Sequence, residues 1–120
     1  MESINQEKED TLTGDCGEWI MPVKDALDAL HGRWKIPIII AVSFGSKRFN
    51  EIAREVPGIT DKTLSKELKD LEVNQLVSRK VINSFPTRVE YAITDHGRSL
   101  KNVMIELRLW GRAHRAKIFE

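Results

Sequence analysis

Few side chains in this 120-residue chain are of types that do bond-making chemistry, and they are scattered. There is one cysteine, Cys16, and there are three histidines, His31, His96 and His114. A zinc site needs three or four converging ligands, and none of the histidines has a second ligand at i+3 or i+4. No G-x-G-x-x-G, G-x-x-x-x-G-K-[ST], G-x-S-x-G or H-E-x-x-H occurs. No metal, no cofactor and no catalysis are therefore expected. The residues whose spacing does suggest a task are cations: Lys62, Lys66 and Lys69, with the hydroxyls of Thr60, Thr63 and Ser65 between and before them. Ammonium and hydroxyl groups in that pattern suit phosphate oxygens and base edges.

The overall charge of +1 conceals this, because the charges are not mixed. Residues 1–18 hold six acids and one base, a net of −5, which leaves +6 for residues 19–120. The expected organisation is a flexible acidic arm over 1–18 and one basic domain over 19–120. The longest apolar run, Ile36 to Val42, is far short of a membrane span, and the first residues lack the basic and apolar regions of a signal peptide. A single cysteine allows no internal disulfide, so a cytoplasmic location is expected.

The elements that must position these groups follow from periodicity. Pro22 suits the first turn of a helix whose stripe is Val23, Ala26, Leu27 and Leu30, with Gly32 as a left-handed stop. A second helix is expected from about Arg33 to Phe44, with Pro37 near its start. A short extended link, Lys47-Arg48-Phe49, leads to a third helix over 50–56 with Asn50 as N-cap. Pro57-Gly58 turns the chain, and Thr60 caps a fourth helix running to about Asn74. Then the period becomes two. Strands over 77–83 and 88–93 form a hairpin with the tip Ser84-Phe85-Pro86-Thr87. Thr94 caps one long last helix, from Asp95 to about Arg115.

A helix-turn-helix followed at once by a two-stranded hairpin is the winged-helix arrangement, mainly α with a small β-hairpin. In the fourth helix Leu64, Leu68 and Leu71 make a buried seam, and Lys62, Lys66 and Lys69 lie roughly 140–200° away from Leu64. Such stripes are often plain solvated faces, but the second helix of a helix-turn-helix enters a major groove. The acids Glu67, Asp70 and Glu72 are harder to place and are expected at the edges of the footprint. The wing offers Thr87 and Arg88 at its tip and Arg79 and Lys80 on its first strand. Lys47 and Arg48 could clamp the backbone. The last helix is apolar on two sides, with Leu100, Val103, Met104, Leu107 and Trp110 on one and Ile105 and Leu109 on the other. Either the N-terminal arm or first helix covers it, or, the preferred reading, a partner helix from an identical chain does, giving a C2 dimer on a pseudo-palindromic site.

Several blocks also resemble one family. They are Pro22-Val23, Ala26-Leu27, Leu30 to Ile36, Lys47 to Ile52, Pro57 to Thr60, Leu64-Ser65, Leu68, Leu71-Glu72, Leu76-Val77, Arg79, Pro86 to Tyr91, Thr94, Gly97, Leu100 and Trp110. In register over about residues 20–113, they resemble the HxlR-type (MarR-like) winged helix-turn-helix transcription regulators. The resemblance implies a bacterial, cytoplasmic, homodimeric regulator of double-stranded DNA whose first and last helices form the dimer interface. It supports the fourth helix as reader and the Pro86 hairpin as wing. It also makes Trp34 a packing residue beside that interface, with Ile105, Leu109 and Trp110.

One position departs from the family. Many members carry a cysteine just before the Pro-Val, and in some it senses oxidants or electrophiles; here that residue is Met21. Cys16 lies five residues earlier, between Asp15 and Glu18, where carboxylates disfavour a thiolate. The expectation is an inert arm residue, with redox sensing through an intermolecular disulfide as the lesser reading. The competing functions are a winged-helix protein–protein interaction module without DNA binding, and a regulator switched by an unidentified small molecule in an apolar pocket between the long helix and Trp34. The acidic arm is also expected to compete with DNA for the basic surface.

Overall fold

The computed structural model describes residues 12–120. Most of the acidic arm assigned to residues 1–18 thus lies outside the described residues. The chain forms two compact units that part between His31 and Gly32.

The first unit holds helix α1, Cys16–Leu30. It begins six residues before the start expected at Pro22. Asp15 is extended at the N-cap and its carboxylate accepts the Gly17 N–H at 2.6 Å, which is the starting signal the periodicity did not register. Residues 16–18 are thereby helical, not part of an arm. Pro22 sits inside the helix, at the cost of the hydrogen bond it cannot donate to the preceding turn. The stop is as expected, with Gly32 at φ +83°.

The second unit is built on α2, Lys35–Ser43, whose Ile38, Ile39, Ala41 and Val42 are all buried. A helix apolar nearly all round belongs in the middle of a core, and three other elements pack against this one. Helix α3, Phe49–Glu55, contributes Ile52, with Val56 just beyond it. Helix α4, Asp61–Val73, contributes the expected seam Leu64, Leu68 and Leu71. Leu76 and Val77 complete the core where strand β1, Val77–Ile82, begins. It pairs antiparallel with β2, Arg88–Ile93, in a register running from Val77 opposite Ile93 to Ile82 opposite Arg88. Lys47 adds a third edge: its N–H and C=O both bond Tyr91 in β2, at 2.9 and 2.7 Å.

Helix α3 starts one residue earlier than expected. Arg48, not Asn50, is its N-cap, and the Arg48 N–H donates to Glu51 Oε1 at 2.8 Å. With the acid at the third helical position reaching back, this start needs no acceptor side chain at the cap itself. Helix α4 keeps its expected cap, since Thr60 Oγ1 accepts the Thr63 N–H at 3.1 Å. It closes through Gln75, the one non-glycine residue with positive φ (+61°) among the described residues. Leu76 N–H bonds Leu71 O and Gln75 N–H bonds Glu72 O, the paired closure that needs a left-handed residue past the cap.

The last helix is not continuous. Thr94 caps a short α5, Asp95–Arg98, as expected, but the chain re-forms as α6, Lys101–Ile118, only after Ser99-Leu100. Tighter turns enter here: Leu100 N–H bonds Gly97 O and Ser99 N–H bonds His96 O, both at 3.1 Å, the latter shared with an α-type bond to Asp95 O at 3.2 Å. Gly97 is also wedged against the Leu76 carbonyl and the Ile93 side chain, with no room for a Cβ. Thr94 ties the same place together, its hydroxyl donating to Gln75 O at 2.6 Å and its N–H to Leu76 O at 3.2 Å.

One polar pair lies inside this core. Lys35 Nζ is 2.7 Å from Glu67 Oε1 and 3.4 Å from Asp70 Oδ2, with Lys35 only 1% and Glu67 6% exposed. Replacing Glu67 with leucine leaves a buried ammonium with only the more distant Asp70. We expect it to cost about 3 kcal/mol or more in urea unfolding, whereas Lys35→Met with Glu67→Leu costs far less. A double variant as unstable as the single one would refute this account of the pair. Thr60→Ala is expected to lose about 1 kcal/mol in the same assay, through the start of α4. An unshifted unfolding midpoint would show that the cap does not hold it.

Candidate nucleic-acid interface

Helix α3, the turn Val56 to Thr60 and helix α4 form the helix-turn-helix, and Gly58 makes its turn at φ +85°. With Leu64, Leu68 and Leu71 turned inward, Lys62, Ser65, Lys66 and Lys69 are exposed and Thr63 is half-buried. Among the described residues Lys62 and Lys69 have no ion-pair partner. Lys66 is 3.8 Å from Asp70 Oδ2 in a solvent-exposed i,i+4 pair, too weak to hold the ammonium back from a phosphate. The hydroxyls of Thr60 and Thr63 bond one another at 3.0 Å, so they act together at the tip of the helix.

Two of the three acids of α4 that were harder to place are set by the core. Glu67 lies on the buried side and Asp70 beside it, both facing Lys35, while Glu72 is exposed. The helical wheel carried that signal, because Glu67 falls about 60° from Leu64, next to Leu71. Lys35 was the missing half: an ammonium in an apolar helix start has no visible partner until α4 is packed against it.

On the hairpin the register separates the expected cations. Lys80 lies opposite Glu90 and shares a face with Arg88, whereas Arg79 lies opposite Tyr91 on the other face. Arg88 Nε is 3.4 Å from Glu90 Oε2. The tip spans residues 83–87, one longer than expected, because β1 ends at Ile82. Thr87 is exposed there, and Ser84 Oγ bonds Pro86 O at 2.7 Å across the turn.

The two proposed clamp residues part company. Lys47 is the edge residue of the sheet, and its ammonium, mostly covered, pairs with Glu55 at 3.2 Å. Arg48 instead lines an open polar groove between the start of α3 and β2, together with Arg54 and Arg88. Arg54 was not foreseen; it shares the Asn50 and Glu51 side of α3 by i+4 and i+3 spacing, which was the available signal. Glu51 and Glu90 line the same groove, so the three guanidiniums are spaced by carboxylates.

The remaining expected residues lie elsewhere. Ile105, Leu109 and Trp110 are exposed on α6, which buries none of its residues, and Trp110 stacks on His114 at 4.7 Å. Trp34 is the half-buried N-cap of α2, covered by Arg33 at 4.4 Å from the ring centroid. Cys16 is exposed at the first position of α1. An apolar cleft of about 320 Å³ does exist, but Ser43, Ile93, Arg98, Lys101 and Met104 line it and Trp34 does not. No helix among the described residues is long and apolar enough to cross a membrane.

Comparison with known proteins agrees with this geometry. Residues 29–118 match the family model described as HxlR-like helix-turn-helix. The HTH-type transcriptional regulator YybR of Bacillus subtilis (strain 168) is 37% identical over 94 residues, 78% of this chain and 75% of that protein. The HTH-type transcriptional regulator YodB of the same organism is 38% identical over 88 residues, 73% of this chain and 79% of YodB. Among solved structures, the redox regulator HypR in its reduced form superposes with a TM-score of 0.76 at 36% identity, covering 81% of this chain and 96% of HypR. The chain is a winged-helix protein and belongs to the HxlR-like helix-turn-helix family of transcriptional regulators.

Proposed function

We propose that this chain binds double-stranded DNA sequence-specifically, as a homodimer, and regulates transcription from a pseudo-palindromic operator in the cytoplasm. The observation that carries the proposal is the Lys62, Lys66 and Lys69 face of α4. It is exposed, opposite the buried seam, on the second helix of a helix-turn-helix. Lys62, Thr63, Ser65 and Lys66 meet base edges and phosphates, and Thr60 places a hydroxyl at the helix start. Lys69 extends the phosphate contact along the groove. Arg88, Lys80 and Thr87 serve from the wing, and Arg48 with Arg54 holds the backbone at the groove beside it. Arg79, on the opposite hairpin face, and Lys47, already paired, take lesser parts.

For the dimer, the support is the two-sided apolar surface of α6. Val103, Leu107 and Trp110 line one shallow groove, and Ile105 and Leu109 lie on the other side, all exposed. So much apolar area on one helix calls for a cover, and a second copy supplies it with two-fold symmetry. Helix α1, with Trp19, Ile20, Met21, Val23 and Leu27 exposed, has the same need. We also propose that the protein is not an enzyme and takes no cofactor. The cleft beside Arg98 and Lys101 has the size for a small effector. Cys16 stays outside the proposal: it is one thiol beside Asp15 and Glu18, and it could bridge only to another chain.

Binding to a duplex recovered by selection from a random pool is expected to weaken steeply as salt rises. Lys62→Glu with Lys66→Glu should abolish it while the unfolding midpoint stays put. A double variant that binds as tightly as wild type would show that α4 is not the reading surface, and no salt-dependent binding by wild type at micromolar concentration would favour the protein-interaction alternative. Ile105→Asp with Leu109→Asp is expected to give monomers by light scattering and to lower operator affinity. A dimer that survives this change would place the interface elsewhere.

A further inference from the structure

The hairpin carries a side chain that the fold does not use. Phe85, at the tip, is 105% exposed, the highest value among the exposed large apolar residues. Val77, at the base of the same hairpin, is buried, and the strands are six residues each, so the tip lies roughly 20 Å along the hairpin from Val77. Folding therefore gains nothing from this ring, and a phenyl group in water is a standing liability on a soluble protein. The exposed apolar residues of α1 and α6 lie on helix faces that a second copy can cover; Phe85 is alone on a narrow loop, too small for such an interface.

The surroundings of the ring indicate what meets it. Residues 77–93 carry three cations, Arg79, Lys80 and Arg88, against one acid, Glu90. The loop is braced from within by Ser84, which bonds Pro86 O through its hydroxyl and Ile82 O through its N–H, both across two residues. A braced apolar tip on a basic two-stranded stalk fits a polyanion that has an apolar interior reachable through a narrow slot. Duplex DNA is that polyanion: base pairs stack behind two rows of phosphates, and apolar side chains entering the minor groove unstack a base step and kink the helix.

We propose that Phe85 is a wedge that enters the minor groove beside the α4 site, inserts against one base step and bends the operator. The cations of the stalk bring the tip to the phosphates, and the ring replaces part of the stacking it disrupts. The wedge selects operators with a flexible pyrimidine–purine step at the wing position, so it adds specificity where no base edge is read. This inference rests on the DNA-binding reading above.

The test uses the full chain and a duplex recovered by selection from a random pool, end-labelled for energy transfer and carrying 2-aminopurine at the wing step. Wild type is expected to shorten the end-to-end distance and raise the 2-aminopurine fluorescence. Phe85→Ala should leave the unfolding midpoint unchanged, bind about tenfold more weakly and lose both signals. Phe85→Leu should retain them in part. If Phe85→Ala binds and bends like wild type, or weakens binding without wild type ever unstacking the step, the wedge is overturned while the α4 reading stands. If wild type selects no duplex at all, both fail.

Discussion

The ion pair between Lys35 and Glu67 is the constraint on which the arrangement of the reading head turns. An ammonium with only 1% exposure cannot be left without a counter-charge, and the counter-charge comes from the helix proposed to lie in the groove. The pair therefore adds a polar requirement to the apolar packing of α4 on α2. Leu64, Leu68 and Leu71 pack the seam, and Glu67, at 2.7 Å, must face Lys35 for the ammonium to keep its counter-charge, with Asp70 as a second and longer partner. Setting the inner face of α4 sets its outer face too, since Lys62, Lys66 and Lys69 are carried on the same rigid backbone. Asp70 belongs to both sides, 3.4 Å from Lys35 within and 3.8 Å from Lys66 without.

A second fixed point joins the wing to the rest. Leu76 closes α4, opens β1, and gives its carbonyl to the Thr94 N–H, and Gly97 presses on that same carbonyl. Gln75 accepts the Thr94 hydroxyl through its carbonyl while holding the left-handed conformation that lets α4 stop there. Four residues thus set the reader, the root of the wing and the start of α5 against each other. The groove with Arg48, Arg54 and Arg88 follows from it, because β2 can lie beside α3 only when the hairpin root is held.

Much of this was legible in the residues. Order, type and approximate bounds of α2, α4, both strands and the Thr60 and Thr94 caps follow from periodicity and capping chemistry, which are local. The misses are where a local signal was outweighed. Pro22 looked like a helix start, yet the Asp15 cap lies upstream and the helix runs through the proline. Asn50 looked like a cap, yet Glu51 reaching back to Arg48 starts the helix earlier. The break at Ser99-Leu100 lies just after Gly97, which packs closely on the Leu76 carbonyl, a contact between distant parts of the chain that no window over residues 95–115 contains. For the candidate site, the lysine stripe was readable because it is a pattern within one helix. Arg54 and Glu67 carry a signal within their own helices, but the partners that give it meaning, Arg88 and Lys35, come from other elements.

The interruption between α5 and α6 has a mechanical meaning. An unbroken helix from Asp95 would have been a stiff rod, rigidly transmitting any rotation of the hairpin root to the far end. Ser99 and Leu100, where tighter turns interrupt the regular helix, divide it into a short arm and a long arm. A joint of this kind is where a helix yields more readily than along an unbroken run. For the proposed dimer, joined through α6, a joint at this place would let each head settle into its own groove while the joined arms stay packed.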